Sequence, residues 1–220
     1  MDPTQNRQHQ EHRADDTGVL DDGAAALGLP ELGQVPDALR DRLAGRAEAE
    51  GLVDIEYRIL DSPFGDLLLA ATPVGLVRVA FATEDHDRVL VELAGSISPR
   101  ILRAPGRTDA VAQQLTAYFE HRSQRLEVAL DLQLVRGFRR QVVSQLPGIA
   151  YGTTESYGQV ARRAGNERAA RAVGSACSHN PLPLVLPCHR VVRSDGSIGE
   201  YLGGVEVKRA LLELESTAAR

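Results

Sequence analysis

A chain of 220 residues, 43% hydrophobic and 25% charged, has ordinary globular composition and room for one large domain or two small ones. No apolar run approaches the roughly 18 residues of a membrane span, and two cysteines make no disulfide framework. With a polar N-terminus that carries neither signal nor transit features, the expectation is a cytoplasmic protein with no membrane association.

The formal net charge of -5 hides an asymmetry. From Asp131 onward, 12 Lys and Arg face 8 Asp and Glu; between Arg136 and Arg193, nine arginines face only Glu155 and Glu167. A basic stretch in an acidic chain is where a polyanion docks, although a solvated arginine-rich surface reads the same way. Lys208 is the only lysine, so the preference for Arg is chain-wide and says nothing about phosphate.

Residues 1–50 read as a tail. Residues 1–22 are nearly devoid of apolar side chains and are expected to be disordered, while Pro36 before residues 37–48 predicts one short, weakly amphipathic helix without chemistry. Residues 55–60, 66–71 and 76–81 then read as short strands. The turn signals Ser62-Pro63-Phe64-Gly65 and Thr72-Pro73-Val74-Gly75 separate them into an antiparallel meander. Helical spacing predicts helices over 84–93 (Val89, Leu90, Leu93) and 108–121 (Val111, Leu115, Phe119), with a further strand over 126–132. Residues 53–132 are thus a small α+β domain, in which His86 and His121 read as surface histidines.

Residues 137–220 are mainly helical. A helix over 138–146 stops at Pro147-Gly148, a turn covers 151–154, a second helix runs over 156–164 to Gly165, and a third over 167–178 sets Ala170, Val173 and Ala176 on one face. Two helices across a tight glycine turn form a helix-turn-helix pattern. The third carries small residues, among them Ala169, Ala170, Ala172, Gly174, Ser175 and Ala176, that let another surface approach closely. That surface is either a neighbouring helix or a DNA groove, and Arg168 and Arg171 favour DNA.

The chemistry concentrates in the segment from Asn180 to Val192, where three prolines in seven positions exclude a helix and an apolar run ends in Cys188-His189-Arg190. A free thiol has a pKa of about 8.5 and needs a base or a positive charge to become a thiolate nucleophile. His189 and Arg190 offer both from adjacent positions. Cys177, in an alanine-rich helix, reads as a small buried hydrophobe. A metal site built from Cys177, His179, Cys188 and His189 matches no usual zinc spacing, whereas a Cys-His hydrolase stays open on chemistry alone.

Pro187-Cys188-His189-Arg190-Val191-Val192 resembles the active-site signature of the O6-alkylguanine-DNA alkyltransferases, the methylated-DNA–protein-cysteine methyltransferases. Ser156-Tyr157, Ala164-Gly165-Asn166, Ala170-Arg171-Ala172-Val173-Gly174, Asn180-Pro181, Tyr201-x-Gly203-Gly204, Lys208 and Leu211-Leu212-x-x-Glu215 fall in the same register. The likeness is close over about residues 137–215 and looser over 53–132. It implies an α+β protein: a ribonuclease-H-like N-terminal domain on a small antiparallel sheet, then a helical, winged-helix-like DNA-binding domain.

The same resemblance implies residue roles. Cys188 takes the alkyl group irreversibly, once per molecule and without a cofactor. His189 deprotonates it through a water, Glu215 orients that imidazole, Asn180 shapes the turn entering the active-site strand, and Tyr157 donates towards guanine N3. The implied partner is double-stranded DNA carrying O6-alkylguanine, or O4-alkylthymine, met through the minor groove by a monomer. Ala170, Gly174 and Ser175 permit the approach, and Arg171 fills the space of the flipped base. Val191, Gly199, Tyr201 and Leu202 line the pocket. Two departures stand out: Leu202 replaces the small residue common after that tyrosine, narrowing the pocket, and Val142-Val143 stand where a Trp is common. Some relatives bind zinc through N-terminal cysteines; this N-terminal region has none, so no metal is expected.

Overall fold

The computed structural model describes residues 37–218, so the expectation of disorder over residues 1–22 lies outside the described residues. Residues 1–43 and 44–220 group as separate units. The predicted helix is present as α1 (Asp37–Ala49). Among the described residues no helix is long and apolar enough to cross a membrane.

The meander forms as read, with β1 (Ile55–Leu60), β2 (Leu67–Ala71) and β3 (Leu76–Phe81) in antiparallel ladders. At the second turn Gly75 is required by space: a Cβ there would lie 2.4 Å from the carbonyl oxygen of Ala129. The sequence reading missed β4 (Ile101–Arg103), which adds to β1 in parallel and makes the sheet mixed, in the order β3-β2-β1-β4. The strand expected over 126–132 is not a ladder. Only Leu130 bridges Leu76, with Ala129 O and the Asp131 amide bonded to the Leu76 backbone, while Glu127 is held on both backbone groups by the Gln114 amide.

All five residues of β2 are buried, because both faces of the sheet are covered. Alternation sends Leu68, Ala70 and Ala80 to one side, and the register shift at Ala70/Ala71 brings Val77 there too, against Val89 and Leu93 of α2 (His86–Ser96). It sends Leu67, Leu69, Val79 and Phe81 to the other, into one core with α3 (Asp109–Phe119) and with Val142, Val160, Val173, Leu182 and Leu211 from the C-terminal half. The sheet is therefore packed directly onto the segment that carries the cysteine.

Three short helices follow: α4 (Gly137–Val143), α5 (Tyr157–Arg163) and α6 (Ala170–Ser178). Ser156 and Gln159 start α5 with a reciprocal capping box. Val173, Ala176 and Cys177 turn inward on α6, whereas Arg171, Ala172 and Ser175 are exposed. β5 (Glu155–Ser156) pairs in parallel with β6 (Val191–Val192), and α7 (Val205–Ala218) closes the chain.

Candidate active site

Every residue from Asn180 to Val192 is buried, polar ones included. Within it Cys188–Arg190 is a 3-10 turn, so the cysteine lies ahead of β6 and not on a strand as expected. About three residues per turn send three consecutive side chains in three directions. Cys188 meets Asn180, while His189 and Arg190 both reach Glu215 on α7, where Lys208, Leu211 and Glu215 form a buried stripe at helical spacing.

Asn180 is used completely. Its Nδ2 donates to Leu186 O (2.8 Å) and to Cys188 Sγ (3.2 Å), and its Oδ1 accepts from the Leu182 amide (3.0 Å). The amide orientation is thus fixed with its donor on the sulfur. Glu215 is the second hub. Oε1 accepts from Tyr118 Oη (2.7 Å), His189 Nε2 (2.9 Å) and Arg190 Nη2 (2.9 Å), and Oε2 accepts from the Gly152 amide (3.2 Å) and Arg190 Nε (3.0 Å). Burial would raise the Glu215 carboxyl, but the hydrogen bonds from His189 and Arg190 win and hold it at about 2.

An ionised carboxylate only accepts, so His189 Nε2 carries the proton and Nδ1 keeps a lone pair. Among the described residues that buried Nδ1 has no hydrogen-bond partner. Burial pushes the imidazole below its usual range, against the pull of Glu215, so it is a neutral base at pH 7. Burial likewise pushes the Cys188 thiol up to about 11, opposed by the Asn180 hydrogen bond and by Lys208. The expectation that Arg190 assists the thiol is corrected: its guanidinium binds Glu215 and Ile149 O (2.7 Å), and the cation acting on Cys188 is Lys208. Lys208 is itself buried, with Nζ 2.6 Å from Val191 O and 6.0 Å from the centre of the Tyr157 ring. A thiol followed in the same turn by a neutral base suits an attack in which deprotonation accompanies bond formation.

Two family models match this chain: the DNA binding domain of 6-O-methylguanine DNA methyltransferase over residues 137–217, and its ribonuclease-like domain over residues 55–132. The methylated-DNA–protein-cysteine methyltransferase of Mycobacterium tuberculosis is 38% identical over 167 residues, which are 75% of this chain and 94% of that protein. The chain belongs to the methylated-DNA–protein-cysteine methyltransferase family.

Among solved methyltransferases of this family, the crystal structure of the Mycobacterium tuberculosis O6-methylguanine methyltransferase superposes with a TM-score of 0.65 at 37% identity, covering 76% of this chain and 95% of that one. A structure of the same relative in complex with DNA gives 0.62, covering 74% and 94%.

The remaining expected residues of this methyltransferase lie at different depths. Tyr157, half-buried at the start of α5, lies next to Gly174 and Gly199. Burial raises its phenol, which keeps its proton at neutral pH. A Cβ on Gly199 would stand 2.5 Å from Tyr157 Oη and 3.4 Å from Cζ. Gly199→Ala is therefore expected to displace the Tyr157 hydroxyl and slow single-turnover alkyl transfer roughly tenfold or more, with little change in melting temperature. The Val191 carbonyl already accepts from Lys208. Tyr201 packs edge-on against Phe81 and His189, its buried hydroxyl without a partner among the described residues. Leu202 packs on the core and borders a cleft of about 270 Å³ shared with Asn180 and Pro181. Arg171 and Ser175 are exposed on α6, with Ala170 and Gly174 half-buried beside them.

Sequence reasoning missed Tyr118, Arg190 and Gly152 as partners of Glu215. Arg190 carried a signal, since a charge inside an otherwise buried segment needs a carboxylate. Tyr118 and Gly152 carried none, because their contacts are tertiary.

Proposed function

We propose that the protein repairs DNA directly, taking the alkyl group of O6-alkylguanine onto Cys188 once and irreversibly. The observation that carries this reading is a pair of buried groups on one 3-10 turn: Cys188 held by the Asn180 amide, and His189 held by Glu215 with an Nδ1 that has no partner among the described residues. In the proposed step Cys188 Sγ attacks the alkyl carbon and an S–C bond forms as the C–O6 bond breaks. The electron pair stays on guanine. His189 Nδ1 takes the thiol proton through a water, and Tyr157 supplies a proton to guanine N3, so the base leaves neutral. No group in the site returns the thioether to a thiol.

The target atom sits inside the duplex stack, so the nucleotide turns out into the pocket bordered by Tyr157, Gly199, Tyr201 and Leu202, and Arg171 occupies the gap. The exposed, small-residue face of α6 suits the minor groove, and a monomer suffices because each of these roles falls within one chain. Phosphate contacts then dominate affinity, which falls with salt. Arg171→Ala is expected to slow repair in duplex DNA about tenfold or more while leaving reaction with free O6-alkylguanine near the parent rate; equal losses on both substrates would remove Arg171 from base flipping.

Intact-protein mass spectrometry after incubation with a duplex holding one O6-methylguanine tests the function. A gain of ~14 Da on the Cys188 peptide, saturating at one per chain, is the expected result, since methyl replaces the thiol hydrogen. An unchanged mass with the duplex still bound would make this a lesion-binding protein.

A further inference from the structure

β3 is one of the two edge strands of the sheet, and its one charged residue is Arg78. An open edge carries unpaired backbone groups that need covering. Here the covering comes from the turn that leads into the active site: the Val79 amide donates to Pro181 O at 2.8 Å. Arg78 Nη1 reaches the same carbonyl at 3.4 Å and Val79 O at 3.0 Å, while Nη2 pairs with Glu84. The other oxygen of Glu84 accepts the Phe81 amide at 3.0 Å. Both side chains are largely buried, at 13% and 11% exposure, which makes this pair unlike the solvent-exposed pairs elsewhere on the surface.

Pro181 follows Asn180, whose amide holds Cys188 Sγ. The same stretch of sheet also supports the opposite wall of the pocket. Phe81 packs edge-on against Tyr201 with ring centres 5.6 Å apart, a Cβ on Gly203 would come within 3.0 Å of the Phe81 ring, and Thr83 Oγ1 donates to Leu202 O at 3.4 Å.

We infer that Arg78 is a positioning residue for alkyl transfer: by clamping Pro181 it fixes the Asn180 turn that holds Cys188, and by pairing with Glu84 it keeps that carboxylate neutralised. The sheet domain thereby takes part in the chemistry through one ion pair. The inference rests on the proposed role of Cys188 as acceptor.

The charged and titratable groups around the thiol are known by element: Glu84 after β3, Tyr157 on α5, Cys177 on α6, His189 beside it, Tyr201 in the following loop and Lys208 on α7. Arg88, Glu92, Arg139 and His179 border the cleft around Arg78. Loss of Arg78 by a purely structural route and by the clamp route act with opposite sign on Cys188. Loosened packing admits water and lowers the thiol, because burial is what raises it most. An unpaired Glu84 raises it further.

The experiment uses the full chain and two readouts. The first is the single-turnover rate on an O6-methylguanine duplex, with duplex affinity and melting temperature measured in parallel. The second is the pH dependence of Cys188 alkylation by iodoacetamide, mapped by peptide mass, which needs no DNA and so reports on the clamp even if the parent transfers no alkyl group. Arg78→Gln is expected to slow transfer about tenfold at unchanged affinity and to move the iodoacetamide profile to higher pH. The double variant with Glu84→Gln returns that profile towards the parent, and Arg78→Lys recovers part of the transfer rate. A parent-like transfer rate in Arg78→Gln, or a profile that stays put or moves to lower pH, overturns the inference. If Arg78→Gln does not fold, Glu84→Gln alone decides: a profile moved to lower pH supports the clamp, and an unmoved one refutes it.

Discussion

Cys188→Ala is expected to bind an O6-methylguanine duplex as the parent does and to acquire no methyl group. Transfer falls by on the order of a thousandfold or more, because no other atom in the pocket combines a nucleophilic sulfur with an aligned donor. The fold tolerates the change: the side chain is small and 1% exposed, and Asn180 keeps its bonds to Leu186 O and the Leu182 amide. The stability loss is about 1–2 kcal/mol. Cys177→Ser is the matching control. Burial raises that thiol further than Cys188, and among the described residues no side-chain donor is directed at its sulfur, so transfer survives its removal. Methyl found on Cys177 of the Cys188→Ala variant is the result that would sink the assignment. Gel-shift titration and intact mass on the same samples read both halves.

Glu215→Gln is expected to damage both stability and chemistry. The amide takes the place of a carboxylate that binds Tyr118, His189, Arg190 and the Gly152 amide, and leaves the Arg190 guanidinium, 8% exposed, without its counter-charge. Removing one partner of a buried pair costs about 3–5 kcal/mol. The amide can also donate to His189 Nε2, which moves the ring proton to Nδ1 and abolishes the lone pair that would accept the thiol proton. Transfer then drops by about a hundredfold among molecules that remain folded.

The pH dependence follows from the same group. The Glu215 carboxyl is depressed from 4.5 to about 2, so its contribution is complete above about pH 5 and is lost as pH falls from 4.5 towards 2. At full strength it is worth about 3 kcal/mol. His189 acts earlier. Its pKa lies below 6.5, so acid first disfavours the folded state as the unfolded chain binds a proton there that the folded one refuses. Thermal unfolding between pH 7 and 3 should show the second loss in the parent and not in Glu215→Gln. A variant that keeps the full acid slope below pH 4.5 would remove Glu215 as its source.

Much of this architecture was legible where local chemistry decides local structure. The Pro-Gly turns set β1 to β3 almost to the residue, and Ser156-x-x-Gln159 set the start of α5. β4 was invisible because three residues, Ile101 to Arg103, carry no period, and it forms only because β1 offers an edge. Residues 126–132 have strand composition but meet a turn that accepts a single bridge. The helix α7 was not read from the sequence: Lys208, Leu211 and Glu215 stood there only as family register, although their i, i+3, i+7 spacing is that of a helical face. At the site, Cys188 and His189 stood out from residue type alone. The assignment of Arg190 to the thiol followed from adjacency, which a 3-10 turn defeats by rotating each neighbour to a different side.

The raised thiol has a consequence for a molecule that works once. Burial holds Cys188, 1% exposed, as a thiol at neutral pH. Oxidants and stray electrophiles in solution attack thiolates, so the resting site resists being spent on them. On the proposed mechanism its reactivity is released only when an electrophile is already seated and the proton can leave towards His189. Burial thus protects a non-renewable reagent during the interval between synthesis and use.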